Sequence, residues 1–320
     1  MLSRFVPGAL VRWFARPYVA GHDIDDVFAV ADRELRSRAQ LTTIDLLGEA
    51  VTEQALVDEN VDVYEQLFER LARDPRFGNP ATRPTVSLKP SAFTCGEQSA
   101  AADPITRLAE RAHANQVRLT IDMEDHPWTD FTLDTSIGLF ERGWDVGTVI
   151  QTRLHRTQRD LARFPEGMRV RLVIGIYNEP AAVAITDRGE MKARMVAYAK
   201  ELLGRGVFVE FATHDEALLT EFARDVAPLC PQRCEVQMLL GVPRTQLQQD
   251  LANGRYGTRL PVRIYAPFSI GADNATAYLR RRMDENPSMV LLVLRNLFGS
   301  RAVDGTPPSL PPTSAAPPTG

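Results

Sequence analysis

Eight short apolar runs recur along the chain, each followed by a longer stretch of mixed polarity. TTIDLL (42–47), TVSLK (85–89), VRLTIDM (117–123), GTVIQT (147–152), RVRLVIGIY (169–177), VFVEFATH (207–214), CEVQMLL (234–240) and PVRIYAP (261–267) are rich in β-branched residues and short enough to be strands. Between them, VDVYEQLFERLARD (61–74), PITRLAERAHAN (104–115) and MKARMVAYAKELLGRG (191–206) carry apolar residues at helical spacing, and the last ends on glycine. Strands that alternate with helices pair in parallel through crossovers. Eight such units predict an α/β fold, a closed (β/α)8 barrel of the TIM type. An open doubly wound sheet competes, but it calls for a G-x-G-x-x-G turn after a first strand. No such turn stands out here.

Composition narrows the picture. With 320 residues, 44% of them hydrophobic, the chain can bury a sizeable core. A formal net charge of -4 argues against nucleic acid as the main partner. Cys95, Cys230 and Cys234 fit neither a zinc spacing nor, being odd in number, a disulfide framework, so a reducing cytoplasm is the default compartment. No apolar run is long enough to span a bilayer. The N-terminal segment MLSRFVPGALVRWFARPYVAG reads as a packed amphipathic helix, with a peripheral membrane contact as the alternative. GTPPSLPPTSAAPPTG has almost nothing to bury and reads as a disordered Pro-rich tail. The expected organisation is an N-terminal helical segment (1–40), a barrel (41–303) and the tail (304–320).

A barrel of this kind places function at the C-terminal ends of its strands. The residues found there are polar: Asp45 and Glu49, Lys89, Asp122 and Glu124, Gln151, the run Thr213, His214 and Asp215, then Gln237 and Tyr265. A ring of such groups is costly to bury without partners or a ligand. Lys89 could extend to solvent, form a Schiff base or hold an anionic or redox centre. Asp122 could be a core-edge carboxylate. His214 lacks a His-x-His partner, which argues against zinc, and no metal is expected. Arg171, inside an apolar run, needs an anion or several acceptors. Tyr177, Tyr265 and Tyr278 are packing residues or walls of a site. In AYLRRRMDENPSM (277–289), Arg281 and Arg282 lie four and three residues before Glu285. They form either weak surface pairs or a bidentate grip on a carboxylate or phosphate.

These residues carry a resemblance. YLRRRMDEN is similar to the Y-L-x-R-R-L-x-E-N signature of the proline dehydrogenase family, flavoenzymes built on a distorted (β/α)8 barrel. IDLLGEAV (44–51) resembles the family's D-x-L-G-E segment, SLK (87–89) its strand-two lysine and IDME (121–124) its D-x-E segment. RLVIGIY (171–177) resembles R-L-V-K-G-A-Y, and FATHD (211–215) resembles F-A-T-H-N. VQMLLG (236–241) resembles the Q-M-L-x-G segment, and RIYAP (263–267) its R-x-Y-x-P. The matches fall in the family's order over roughly residues 40–290.

The resemblance implies FAD-dependent oxidation of L-proline to 1-pyrroline-5-carboxylate, with electrons passed to a quinone. It implies a carboxylate clamp at Arg281 and Arg282, an ion-pair gate between Glu49 and Arg281, and Lys89 and Asp122 near the substrate nitrogen and the flavin. Tyr177, Leu239, Tyr265 and Tyr278 would wall the substrate ring, with Ile176 beside it. Gln151, Arg171, Val173, Gly175, Thr213, His214, Asp215 and Glu285 would contact FAD. The chain departs from the pattern at Ile174 (family lysine), Ile176 (alanine), Asp215 (asparagine) and Ser269 (glycine). Tyr265 is retained where relatives that prefer hydroxyproline tend to carry a smaller residue, which favours an unhydroxylated ring. Three alternatives stay open at this point: a same-fold flavoenzyme for another cyclic or secondary amino acid, a Schiff-base aldolase using Lys89, and a barrel that binds a ligand without turnover.

Overall fold

The computed structural model describes residues 17–49 and 51–271. Eight parallel strands close a barrel in sequence order. They are β1 (Leu41–Leu46), β2 (Thr85–Leu88), β3 (Leu119–Ile121), β4 (Val146–Gln151), β5 (Arg169–Val173), β6 (Phe208–Ala212), β7 (Cys234–Leu239) and β8 (Val262–Phe268). Pairing of β1 with β8, from Leu41 beside Arg263 to Leu46 beside Phe268, closes the ring.

Helices cover the outside: α1 (Ile24–Arg38), α2 (Gln54–Arg73), α3 (Ala102–Ala114), α4 (Thr129–Glu141), α5 (Thr157–Asp160), α6 (Arg188–Gly204), α7 (Glu216–Glu221) and α8 (Thr245–Ala252). Aspartates start three of them. Asp23, Asp187 and Asp215 accept from the backbone N–H groups of Asp26, Glu190 and Leu218, filling donors that a helix N-terminus leaves open. No helix among the described residues is long and apolar enough to cross a membrane.

Strand periodicity sorts the side chains. One parity, including Ile44, Val86, Leu88, Val170, Leu172, Val209, Phe211, Val236 and Ile264, is buried and apolar and packs into the two core clusters under the helices. The other parity is largely polar and bonds across the lumen. Arg171 of β5 reaches Ser87 of β2 (3.1 Å), and its guanidinium carbon stands 5.2 Å from the ring centre of Tyr265 on β8.

Two strands are four residues shorter than the sequence pattern predicts, and the run 207–214 loses three, leaving Phe208–Ala212. The run 117–123 gives a strand at Leu119–Ile121, because Gln116 takes a left-handed conformation (φ 54°) and the Val117 N–H returns to Ala112 O, closing α3. The run 169–177 leaves the sheet after Val173. Gly175 has φ +111°, and the Tyr177 carbonyl accepts from Arg153 (2.9 Å) and from Glu179 N (2.9 Å) instead of from a strand. The helix read as 61–74 begins earlier, at Gln54. The clamp segment with Tyr278, Arg281, Arg282 and Glu285, the tail 304–320, and the first sixteen residues lie outside the described residues.

Candidate active site

The polar parity builds two tiers inside the barrel. In the lower tier, Arg263 grips Glu235 with Nε (2.6 Å) and Nη2 (3.0 Å) and donates to Thr42 O (3.1 Å). Arg169 donates to Glu210 (3.0 Å), Asp145 (2.8 Å), Thr120 Oγ1 (3.1 Å) and Leu119 O (2.7 Å). These guanidiniums spend their donors on the protein itself.

The upper tier gathers Asp45, Lys89, Asp122, Arg171 and Tyr265. Lys89 Nζ lies 2.6 Å from Asp45 Oδ2, 3.4 Å from Asp122 Oδ2 and 3.1 Å from the Tyr265 hydroxyl. That hydroxyl donates to Asp122 Oδ2 at 2.6 Å. Arg171 donates to Asp122 Oδ1 at 2.7 Å and to Glu210 Oε2 at 3.3 Å. The buried cation that the sequence flags at Arg171 thus meets two carboxylates, one in each tier.

Electrostatics fix the charge states. Burial works against the Lys89 ammonium, but Asp45, Tyr265 and Asp122 outweigh it and hold the amine well above its usual range. Burial also opposes charge on Asp122, yet Arg171 and Lys89 keep it below the usual carboxylate range. Asp45 is held more loosely: burial pushes it up to about 7 against the pull of Lys89, and the nearby Asp122 and Glu49 add to the rise. Burial raises the Tyr265 phenol, so it remains a neutral donor. Burial opposes charge on Glu210 as well, but Arg169 and Arg171 draw it down to about 2.

Around this core stands a rim. Gln151 ends β4. Its Nε2 donates to Glu124 O (2.9 Å) and Glu179 Oε1 (3.2 Å), which turns Oε1 toward Gly175. Glu179 also receives His126 N (2.8 Å) and lies 2.7 Å from His126 Nδ1. Glu124 is tied to Ser91 N (2.7 Å) and Ser91 Oγ (2.5 Å). His214 Nε2 accepts from Leu239 N (3.3 Å), so the ring proton sits on Nδ1; burial, with Arg244 nearby, lowers its pKa to about 4. Thr213 Oγ1 accepts from Asp215 N (3.1 Å). Val173 and Leu239 are the last residues of β5 and β7. Tyr177 follows Gly175 in the β5 loop, where Ile176 is 36% exposed. Glu49, after β1, is half-buried.

Two of the departures have local explanations. The charge at Asp215 is met by Lys192 Nζ at 2.5 Å, and its other oxygen caps α7. The Ser269 hydroxyl donates to Gly271 O (2.8 Å) and lies 3.1 Å from His22 Nδ1, tying the chain after β8 to the segment before α1.

The mouth can take a polar ligand. Asp45 Oδ1, Gln151 Oε1, Arg153 Nε, His214 Nδ1 and Gln237 Oε1 are buried without a hydrogen-bond partner among the described residues. Each such group costs about 1–3 kcal/mol unless something binds it. Gly175 lets the Gln151 amide pack against its backbone, since a Cβ there would lie 2.3 Å from Gln151 Oε1. Unfilled acceptors and donors, with the Arg153 cation among them, fit the polar and anionic groups of a phosphate-bearing cofactor such as FAD.

Sequence reasoning located Lys89, Asp122, Gln151, Arg171, His214 and Tyr265, and the structure brings them to one end of the barrel. It gave no role to Glu210, Glu179, His126 or Arg153, and it left Asp45 as a polar strand end. Strand parity was the available signal for Glu210, which is two residues before Ala212 and four before His214.

The sequence model of proline dehydrogenase matches residues 29–180. The proline dehydrogenase of Deinococcus radiodurans is 30% identical over 294 residues, spanning 89% of this chain and 90% of that protein. Proline dehydrogenase 1 of Bacillus subtilis is 28% identical over 301 residues, spanning 93% and 95%. Among solved structures, proline utilization A from Bdellovibrio bacteriovorus, inactivated by N-propargylglycine, superposes with a TM-score of 0.73 at 21% identity over 89% of this chain. That likeness establishes the barrel fold, and this chain spans 34% of the larger protein's length. With nine-tenths of its length shared with the Deinococcus protein at 30% identity, the chain belongs to the proline dehydrogenase family.

Proposed function

We propose that this chain oxidises L-proline to 1-pyrroline-5-carboxylate with FAD and delivers the electrons to a quinone. The observation that carries the reading is the upper tier itself. A lysine, an aspartate and a tyrosine hydroxyl bond one another, with Arg171 behind them, and Asp45 Oδ1, Gln151 Oε1, Arg153 Nε, His214 Nδ1 and Gln237 Oε1 have no partner among the described residues.

FAD, when bound, supplies the two-electron acceptor. Gln151, Gly175, Thr213 and His214 would hold it, together with Arg171, Val173, Asp215 and Glu285. The chain's own groups do the rest. Arg281 and Arg282 would clamp the substrate carboxylate, which fixes the ring and aims its C–H bond, the orientation part of catalysis. Glu49 would pair with Arg281 and close the site. The Lys89 ammonium, standing near the substrate nitrogen, disfavours a second positive charge there and so favours the free amine, the form that can give up a hydride. Asp122 and Tyr265 hold Lys89 in place. Tyr177, Leu239, Tyr265 and Tyr278 wall the ring and exclude water. Arg171 keeps a positive charge behind the site, the sign that eases arrival of an electron pair.

The test is the visible spectrum of the purified protein before and after anaerobic addition of L-proline. The expected result is a yellow protein that bleaches. A yellow protein that stays yellow moves the substrate to another imino acid, and Ile176 at the mouth is the first residue to examine. A colourless protein that cannot be reconstituted with FAD refutes the flavin reading.

A further inference from the structure

Arg153, in the loop after β4, differs from the arginines of the two tiers. Arg169, Arg171 and Arg263 each meet carboxylates within 3.3 Å. Among the described residues no carboxylate pairs with Arg153. Among those residues its guanidinium makes one hydrogen bond, Nη1 to the Tyr177 carbonyl at 2.9 Å, and its buried Nε has no acceptor.

Its backbone is pinned. The Arg153 N–H donates to Ile174 O (3.2 Å), and its carbonyl accepts from Ile185 N (2.8 Å). The β4–β5 ladder pairs Gln151 with Val173, so Arg153, two residues further on, stands beside Gly175. Both Gln151 Oε1 and Arg153 Cδ crowd the place where a Gly175 side chain would sit, at 2.3 Å and 3.0 Å from its Cβ position. Arg153 and Gln151 therefore pack side by side against Gly175.

A pinned cation with an unfilled buried donor costs free energy unless an anion meets it. We propose that Arg153 binds a phosphate of the flavin cofactor. The inference rests on the flavin reading above. Phosphate is the specific partner because the ring of an oxidised flavin is uncharged at neutral pH, whereas the phosphates of FAD are anionic. A guanidinium is the side chain suited to grip two oxygens of one phosphate.

The test compares affinities of the full-length protein for FAD and for riboflavin, which lacks phosphate, by fluorescence titration after flavin removal. Arg153→Met is expected to weaken FAD binding roughly tenfold or more, the size of one charge-assisted hydrogen bond, with riboflavin binding unchanged. Arg153→Lys keeps the charge and is expected to keep the preference for FAD. Unchanged FAD affinity in Arg153→Met overturns the proposal. So does an equal loss for both flavins together with loss of FAD preference in Arg153→Lys, because that pattern reports pocket damage. A wild-type protein that binds neither flavin refutes the flavin reading itself, and this proposal with it.

Discussion

Replacing Asp122 by asparagine probes the charge balance inside the barrel. The two tiers hold four buried cations, Lys89, Arg169, Arg171 and Arg263, and four buried carboxylates, Asp45, Asp122, Glu210 and Glu235. Asp122 takes hydrogen bonds from three donors: Arg171 at 2.7 Å, Tyr265 at 2.6 Å and Lys89 at 3.4 Å. Asparagine keeps the shape but turns an NH2 toward at least one of these donors and removes the charge. The remaining carboxylate at Arg171, Glu210, lies 3.3 Å away and already serves Arg169. Breaking one side of a buried pair costs about 3–5 kcal/mol. At roughly 2–4 °C per kcal/mol for a large domain, the melting temperature should fall by on the order of 10 °C, read by far-UV circular dichroism at pH 7. The sign with pH follows from the depressed folded pKa of Asp122. Its contribution is complete above the unfolded value of about 3.9 and is lost as pH falls through the folded value, so the gap between wild type and variant should close only in acid. Adding Lys89→Met restores the balance, and the double variant should melt above Asp122→Asn alone. A variant that melts within about 1 °C of wild type, or a double variant that loses the sum of the two single effects, would refute the charge-balance reasoning.

Gly175→Ala forces a side chain into a φ of +111° and against Gln151 Oε1; the strain costs about 1–3 kcal/mol, and the variant should release its flavin on dialysis that leaves wild type yellow. His214, with its pKa near 4, should show no ring titration by NMR between pH 5 and 8. Because the unfolded chain binds that proton near 6.5, stability should decline as pH falls from 6.5 toward 4, by up to about 1.4 kcal/mol per pH unit; His214→Gln should flatten that slope. Arg281→Met and Arg282→Met should each raise the apparent KM for proline by orders of magnitude, as each removes a charged partner of the carboxylate; an unchanged KM in both would remove the clamp assignment.

The barrel was legible because alternation in a half-buried strand is a two-residue signal, and here both parities carry it. Ile44 and Val86 face the helices, while Asp45 and Ser87 face the lumen. Strand ends were harder to read. Whether VRLTIDM starts at Val117 depends on the left-handed turn at Gln116, and whether RVRLVIGIY ends at Val173 depends on a positive φ at Gly175. Neither conformation is written in the hydrophobicity of the run. Lys89 and Asp122 were legible as candidate site residues because a polar group ending an apolar strand stands out, and Tyr265 because it shares their parity within β8. Glu179 and Arg153 sit in loops where polar residues are ordinary. Their significance comes from bonds to Gln151 and Tyr177, which follow from register.

The same register separates charges that are saturated by the protein from charges that are candidates for a site. Arg263 and Arg169 read in sequence much like Arg171 and Lys89: basic residues in apolar strands. In the fold, the lower pair saturates its donors on Glu235, Glu210, Asp145 and backbone carbonyls. A saturated buried ion pair adds little stability beyond what apolar packing would give, and it has nothing left for a ligand. In the upper tier and its rim, cations are again matched by carboxylates, yet Asp45, Gln151, Arg153 and His214 each keep one buried atom unfilled among the described residues. On the proposed flavin reading, a ligand with complementary groups recovers the free energy forgone at those atoms, and the lower ion pairs serve as the floor beneath it. On that argument, neutral replacement of the Arg263–Glu235 pair by apolar residues of similar volume should leave flavin binding intact, whereas any change in the upper tier should register in the flavin first.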